Sequence, residues 1–239
     1  MNHRRGIIYR SRLHWVATLF VVIAPFAYLI VFSRFTNIAA GQLGADVLTS
    51  LGRLVAAYII SVVIGWTLAV LFYSGRRAIV ALPAFDVLQS FPTFALLPIA
   101  ILVLGASNTT IIFFLIFTII WPIIFSIISG LKLIKRDWHE AADVYHLRGW
   151  KYVRYFLWPA SMPGVITGTI IGLGEGWEAL IATEIIVHAS AGLGNFFESF
   201  AANIAITGFG VLGFLVLVFS INHLLWLPLL EWSHRQLEE

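Results

Sequence analysis

Six stretches of this chain, at about 15–33, 47–73, 79–105, 109–131, 163–187 and 208–230, are predominantly apolar. Each is long enough to cross the ~30 Å hydrocarbon core of a bilayer as a helix rising ~1.5 Å per residue. A chain with that pattern has few choices, because lipid offers backbone N–H and C=O groups no partner and a helix bonds them within its own segment. The pattern predicts an all-α, polytopic membrane protein of about six transmembrane helices. Charged residues make up 11% of the chain, against about 25% in a soluble domain, and the mean hydropathy is +0.92. The 239 residues suit one transmembrane domain over 1–239, with no separate soluble domain expected. The lack of cysteine removes any disulfide framework, thiol nucleophile or thiolate metal site.

The third stretch carries Pro83, Pro92 and Pro98. It is expected to form either a short interfacial helix followed by a second piece or one kinked span, the break serving as a packing kink or as a hinge beside a cavity. Between the fourth and fifth stretches lies the one long polar segment, Lys132 to Pro163. With both termini inside, thirteen of the fifteen basic residues fall on one side: Arg4, Arg5, Arg10 and Arg12, Arg76 and Arg77, Lys132, Lys135, Arg136, Arg148, Lys151, Arg154 and Arg235. Only Arg34 and Arg53 fall on the other. The positive-inside rule then places the polar segment and both termini in the cytoplasm. The net charge of +3 reports this topology and gives no reason to expect nucleic acid as a partner. A signal peptide is the competing reading of the start, with Ile38-Ala39-Ala40 as a cleavage site, but the apolar run is longer than a usual signal core.

Inside the polar segment, Asp137 and Glu140 have the spacing of a capping box with Asp137 as the cap, and Trp138, Ala141, Ala142 and Tyr145 fall at helical spacing. Gly149 offers a turn. A second amphipathic piece, with Trp150, Val153, Phe156 and Leu157 on one side, is expected to end at Pro159 and Pro163 before the fifth span. Such a pair of helices suits either the lipid headgroup layer or docking to a cytosolic protein, for which Ala141-Ala142 permits close backbone approach.

Glu140-Ala141-Ala142, the aromatic Trp150, and Leu157-Trp158-Pro159, with Pro159 nineteen residues after Glu140, resemble the EAA loop of binding-protein-dependent ABC importer permeases. The similarity extends over roughly 45–232, through LQSFPTFALLPIAILVLG (88–105), GWEALIATE (176–184), GLGNF (192–196) and NHLLWLPL (222–229). It points to the nitrate, sulfonate and taurine type, and to anion permeases with duplicated halves, one half of which this chain resembles. One departure stands out. The family glycine six residues after the glutamate is His146, so the turn is expected to shift toward Gly149.

The resemblance implies a type I importer transmembrane domain in the cytoplasmic (inner) membrane of a prokaryote, with 132–162 as its coupling loop. It implies two separate ATPase subunits, a second permease copy and an extracytoplasmic solute-binding protein as partners. The chain fits that division, since it has no G-x-x-x-x-G-K-[ST] phosphate loop and no enzymatic role or cofactor of its own is expected. The residues implied to contact the ATPase are Glu140, Ala141, Ala142, Tyr145, His146, Arg148 and Gly149.

In the fifth span Gly164, Gly168, Gly172 and Gly176 recur every four residues, a pattern expected to pack another helix backbone to backbone. Glu175, Glu178 and Glu184 are interleaved, and with Trp177 they are the candidate lining of a translocation pathway. At ~100° per residue Glu175 and Glu178 share one side, while Glu184 lies near Trp177 and nearly opposite Glu175. Acidic residues conflict with an anion path unless they pair with Arg53 or Arg34, are protonated by burial, or serve a cargo bearing an ammonium group. For Glu184 a structural hydrogen-bonding role is favoured. The alternative function is a proton-coupled secondary transporter in which Glu175, Glu178 and Glu184 titrate; no inverted repeat of the spans is evident to support it. His139, His146, His188 and His223 are too dispersed for a common metal site. The segment from His188 to Thr207 reads as an outer gate or a re-entrant piece.

Overall fold

The computed structural model describes residues 3–238, with side chains described for 18–225. The side chains of Arg4, Arg5, Arg10, Arg12, Trp226 and Arg235, used in the sequence reading, therefore lie outside the described residues. In chain order the elements are α1 (His3–Thr36), α2 (Ala40–Phe72), α3 (Gly75–Gln89), a 3₁₀ turn (Thr93–Leu96), α4 (Leu97–Leu104), α5 (Asn108–Lys132), α6 (Arg136–Val144), α7 (Trp150–Tyr152), a π-helical turn (Val153–Leu157), α8 (Trp158–Ile186), α9 (Leu193–Ser199) and α10 (Ile204–Glu238). The described residues contain no strand. Among the described residues five helices are long and apolar enough to cross a membrane, and the pair Gly75–Gln89 and Thr93–Leu104, bent by 75°, supplies up to a sixth.

The core is built on α5 and α8. Ile119, Ile123, Ile124 and Ile127 of α5 are fully buried, and the glycine face of α8 lies directly on them. A Cβ at Gly164 would stand 2.7 Å from Ile127 Cα, one at Gly168 2.7 Å from Ile123 Cα, and one at Gly172 2.9 Å from the Ile119 carbonyl. Only glycine allows two helix backbones to come this close, so the four-residue repeat sets which face of α8 meets α5. Helix α2 completes the inner layer. Its Trp66 indole N–H donates to Ser161 Oγ at 2.8 Å, and the Tyr58 hydroxyl lies 3.3 Å from Thr169 Oγ1. Helices α1 and α10 form a mostly exposed outer pair, joined by the Tyr28 hydroxyl bonding the Phe209 carbonyl at 2.6 Å.

Two local expectations are corrected and a third is resolved. Pro159 and Pro163 do not separate the loop from the fifth span; α7, the π turn and α8 run on continuously from Trp150 to Ile186. The π turn, in which the Trp158 N–H bonds the Val153 carbonyl, shifts the hydrogen-bond pattern just ahead of Pro159, which then sits at the start of α8, where a missing N–H is tolerated. Asp137 is not a cap, since α6 begins at Arg136 and its N-cap position is Lys135, with no side-chain cap bond. Glu140 instead pairs with Arg136 Nε at 2.9 Å. The third stretch takes the first of its two expected forms, a short helix followed by a second piece: α3 ends at Gln89, ahead of Pro92, and the segment containing α4 departs at 75°.

Replacing Gly168 by leucine is expected to cost about 1–3 kcal/mol by overpacking, read as a lower unfolding midpoint in detergent. Gly174→Leu, with nothing within 4 Å of its Cβ position, should leave the midpoint close to wild type.

Candidate functional site

Two polar constructions stand at opposite ends of α8. At the end away from α6, a carboxylate buried in apolar helix has been made affordable by surrounding it with donors. Glu184 is 0% exposed. Its carboxylate accepts from the Ser50 hydroxyl at 2.8 and 2.9 Å, from the Gly194 N–H at 2.8 Å, and from Arg53 Nη1. Arg53 also donates to the Ala191 carbonyl at 2.8 Å and, through Nε, to Asn108 Oδ1 at 2.9 Å. The Gly192 N–H donates to Asp46 Oδ1 and the Leu193 N–H to Ser50 Oγ, both at 2.8 Å. Of the three resolutions open to Glu184, pairing with Arg53 is the one the structure holds, together with the hydrogen-bonding role.

The loop before α9 is thereby sewn to α2. Gly192 has φ +123°, and a Cβ there would stand 2.7 Å from either oxygen of Glu184, so the GLG turn has no room for a larger residue. Within His188–Thr207 the short helix α9 is anchored through this cluster, with His188 Nδ1 and Glu198 Oε1 paired at 2.5 Å beside it. Asp46, Ser50, Asn108 and Gly194 were not singled out from the sequence. Asp46, Ser50 and Arg53 at i, i+4 and i+7 form a polar stripe on one face of an apolar helix, the signal that could have found them.

The four candidate pathway residues are divided. Glu175 and Glu178 are exposed on the outer side of α8. Trp177 is buried, edge-on to Phe214 at 5.4 Å, and Glu184 is in the ion-pair cluster. The 60° offset between the two exposed glutamates and the opposed position of Glu184 are as the helical wheel requires.

At the other end, α6 stands out from the bundle. Glu140, Ala141, Tyr145, His146, Arg148 and Gly149 are exposed, whereas Ala142 is buried, so the Ala141-Ala142 pair has one residue facing out and one facing in. The turn after α6 has not moved to Gly149. His146 itself takes the left-handed conformation at φ +51°. Its N–H bonds the Asp143 carbonyl and that of Leu147 the Ala142 carbonyl, both at 3.0 Å, a Schellman closure in which histidine does the work usually given to glycine. Gly149 adds a second positive φ, +55°. The loop is tied to the span by His139, whose Nδ1 lies 3.1 Å from the Tyr152 hydroxyl and whose ring packs on Phe156 with centroids 5.1 Å apart.

Comparison with known proteins agrees with this architecture. The model of the family described as "Binding-protein-dependent transport system inner membrane component" matches residues 61–231. The chain is 33% identical over 155 residues to the nitrate import permease protein NrtB of Synechocystis sp., covering 64% of this chain and 56% of that protein. It is 30% identical over 150 residues to the bicarbonate transport system permease protein CmpB of Synechococcus elongatus, covering 62% and 54%. Against the taurine transport system permease protein TauC of Escherichia coli it is 26% identical over 144 residues, covering 59% and 52%. The chain spans just over half the length of these relatives.

Glu184→Gln is expected to lower stability by about 3–5 kcal/mol, because it leaves Arg53 buried and unpaired. The apolar double replacement Arg53→Met with Glu184→Leu should recover part of that loss, as measured by denaturation of each variant in the same detergent.

Proposed function

Because this chain belongs to the family of binding-protein-dependent transport system inner membrane components, we propose that it is the membrane-spanning permease subunit of an ATP-driven importer of a small anion. The observation that carries this reading is α6: an exposed helix outside the bundle, closed rigidly at His146 and bonded through His139 to the base of a 37-residue continuous helix. In this reading the whole chain is one permease domain, and 132–162 is its cytoplasmic coupling loop. Glu140, Ala141, Tyr145 and His146 meet a groove on a separate ATPase subunit, Arg148 and Gly149 border the contact, and Ala142 seats the helix on its own chain. Closure of two ATPase subunits on ATP moves α6, and the connected α8 carries that displacement across the membrane as a rigid element.

The solute pathway runs along the exposed side of α8 bearing Glu175 and Glu178, where a second copy of the permease completes the wall. Trp177 and Glu184 support that helix from behind. Nitrate, bicarbonate and taurine, the cargoes in the names of the relatives, set the cargo class. Neutralisation of Glu184 by Arg53 removes one of three negative charges that would oppose an anion. An extracytoplasmic binding protein selects the solute, and both termini lie in the cytoplasm. The exposure of Glu175 and Glu178 favours, as a second reading, a proton-coupled carrier in which they titrate; Glu184, committed to its ion pair, drops out of that scheme.

Glu140→Ala, or a bulky residue such as tryptophan at Ala141, is expected to uncouple ATP hydrolysis from transport in proteoliposomes containing the assembled complex, reducing transport at least about tenfold while the spans stay folded. Unchanged ATPase binding and transport in both variants would reject the coupling role. Copurification of a stoichiometric ATPase from native membranes supports the importer; a chain that emerges alone and transports in ATP-free vesicles under a proton gradient supports the carrier.

A further inference from the structure

The junction between α7 and α8 holds a groove of about 480 Å³ lined by Trp66, Trp150, Val153, Arg154, Tyr155 and Trp158. Its walls are aromatic. Trp66 and Trp158 meet edge to face at 5.1 Å, and Trp66 is fixed by its bond to Ser161. Tyr155 lies under the Arg154 guanidinium, 5.9 Å from ring centroid to cation. No acidic residue lines the groove, and among the described residues Arg154 has no carboxylate partner.

That combination is unusual for its position. Trp150 to Trp158 is eight residues, or ~12 Å along the helix axis, so the groove runs along the junction where the loop joins the fifth span. Arg154, half-way along it, is an exposed cation among aromatic side chains, with Lys151 one turn away. A basic residue at the edge of a span attracts an anion, and the described residues place no carboxylate beside it. Tryptophans favour the headgroup boundary, and a basic pocket between helices at that boundary matches the phosphate of a lipid.

We propose that this groove is a binding site for an anionic phospholipid. Its phosphate pairs with Arg154, with Lys151 one turn nearer the aqueous end adding positive potential, and its acyl chain lies along Val153, Trp66 and Trp158. The bidentate guanidinium fork suits a phosphodiester better than it suits water. The occupant would brace the point where the loop joins the span. Any effect on coupling rests on the importer reading above, but lipid binding does not.

The test is native mass spectrometry of the full purified chain titrated with phosphatidylglycerol or phosphatidylcholine of the same acyl chains. Wild type is expected to retain phosphatidylglycerol preferentially. Arg154→Gln should weaken that retention about fivefold, the worth of one basic residue near an anionic surface, and Arg154→Lys, which keeps the charge but loses the fork, should restore part of it. Thermal melting of the same three proteins should rise with phosphatidylglycerol for wild type and not for Arg154→Gln. Equal retention of the two lipids by wild type, or retention unaffected by Arg154→Gln, would overturn the site. Release of bound phosphatidylglycerol on adding the ATPase subunit would also overturn it, assigning the groove to the protein partner.

Discussion

The contact on which the molecule depends is the backbone-to-backbone packing of α8 on α5. In lipid there is no hydrophobic gain from bringing two apolar helices together, so association depends on dense van der Waals contact and on the few polar groups that cross the interface. The glycines at 164, 168 and 172 make the first possible by removing the side chains that would hold the axes apart. Once α8 is set in rotation against α5, the face bearing Thr169, Trp177, Thr183 and Glu184 turns inward and the face bearing Glu175 and Glu178 turns outward. The placement of every polar group on this span follows from that single choice.

Glu184 is then the largest debt the packing creates. A carboxylate with no exposure in an apolar bundle is tolerable only when paired and fully hydrogen-bonded. Arg53, Ser50 and the Gly194 N–H provide this, drawing in α2, the start of α5 through Asn108, and the GLG turn. The cluster is a joint: one end of the bundle is held by charge and hydrogen bonds, the middle by close packing. At the opposite end, the His139–Tyr152 contact and the His146 turn hold α6 to α7. The continuous helix Trp150–Ile186, of which α8 is the larger part, takes part in all three.

Legibility in the sequence followed the reach of the interaction. The span pattern and the glycine repeat are local and periodic, so both could be read directly. The opposed faces of Glu175 and Glu184 follow from 3.6-residue geometry alone. Where reading failed, a neighbouring element supplied the missing term. Pro159 looks like a stop until the π turn ahead of it shifts the hydrogen-bond pattern. Asp137 looks like a cap until Lys135 takes that position and Glu140 turns to Arg136. His146 looks incompatible with a tight turn, yet the Schellman bonds through Asp143 and Ala142 hold it left-handed. Asp46 and Ser50 went unremarked because a polar stripe acquires meaning only when the loop it binds, 143 or more residues away, is folded against it.

The sequence by itself determined that the chain is an all-helical membrane protein of about six spans, that one polar segment interrupts them, and that α8 presents small residues along one side. These are consequences of hydropathy and helical period, which act within a segment. Tertiary structure alone decided that α5 fills the glycine face, that Arg53 rather than Arg34 neutralises Glu184, that the third stretch breaks at 75°, and that the second half of the loop and the fifth span form one continuous helix. Each of those depends on which distant group arrives to satisfy a bond or occupy a volume, and no local pattern encodes that arrival.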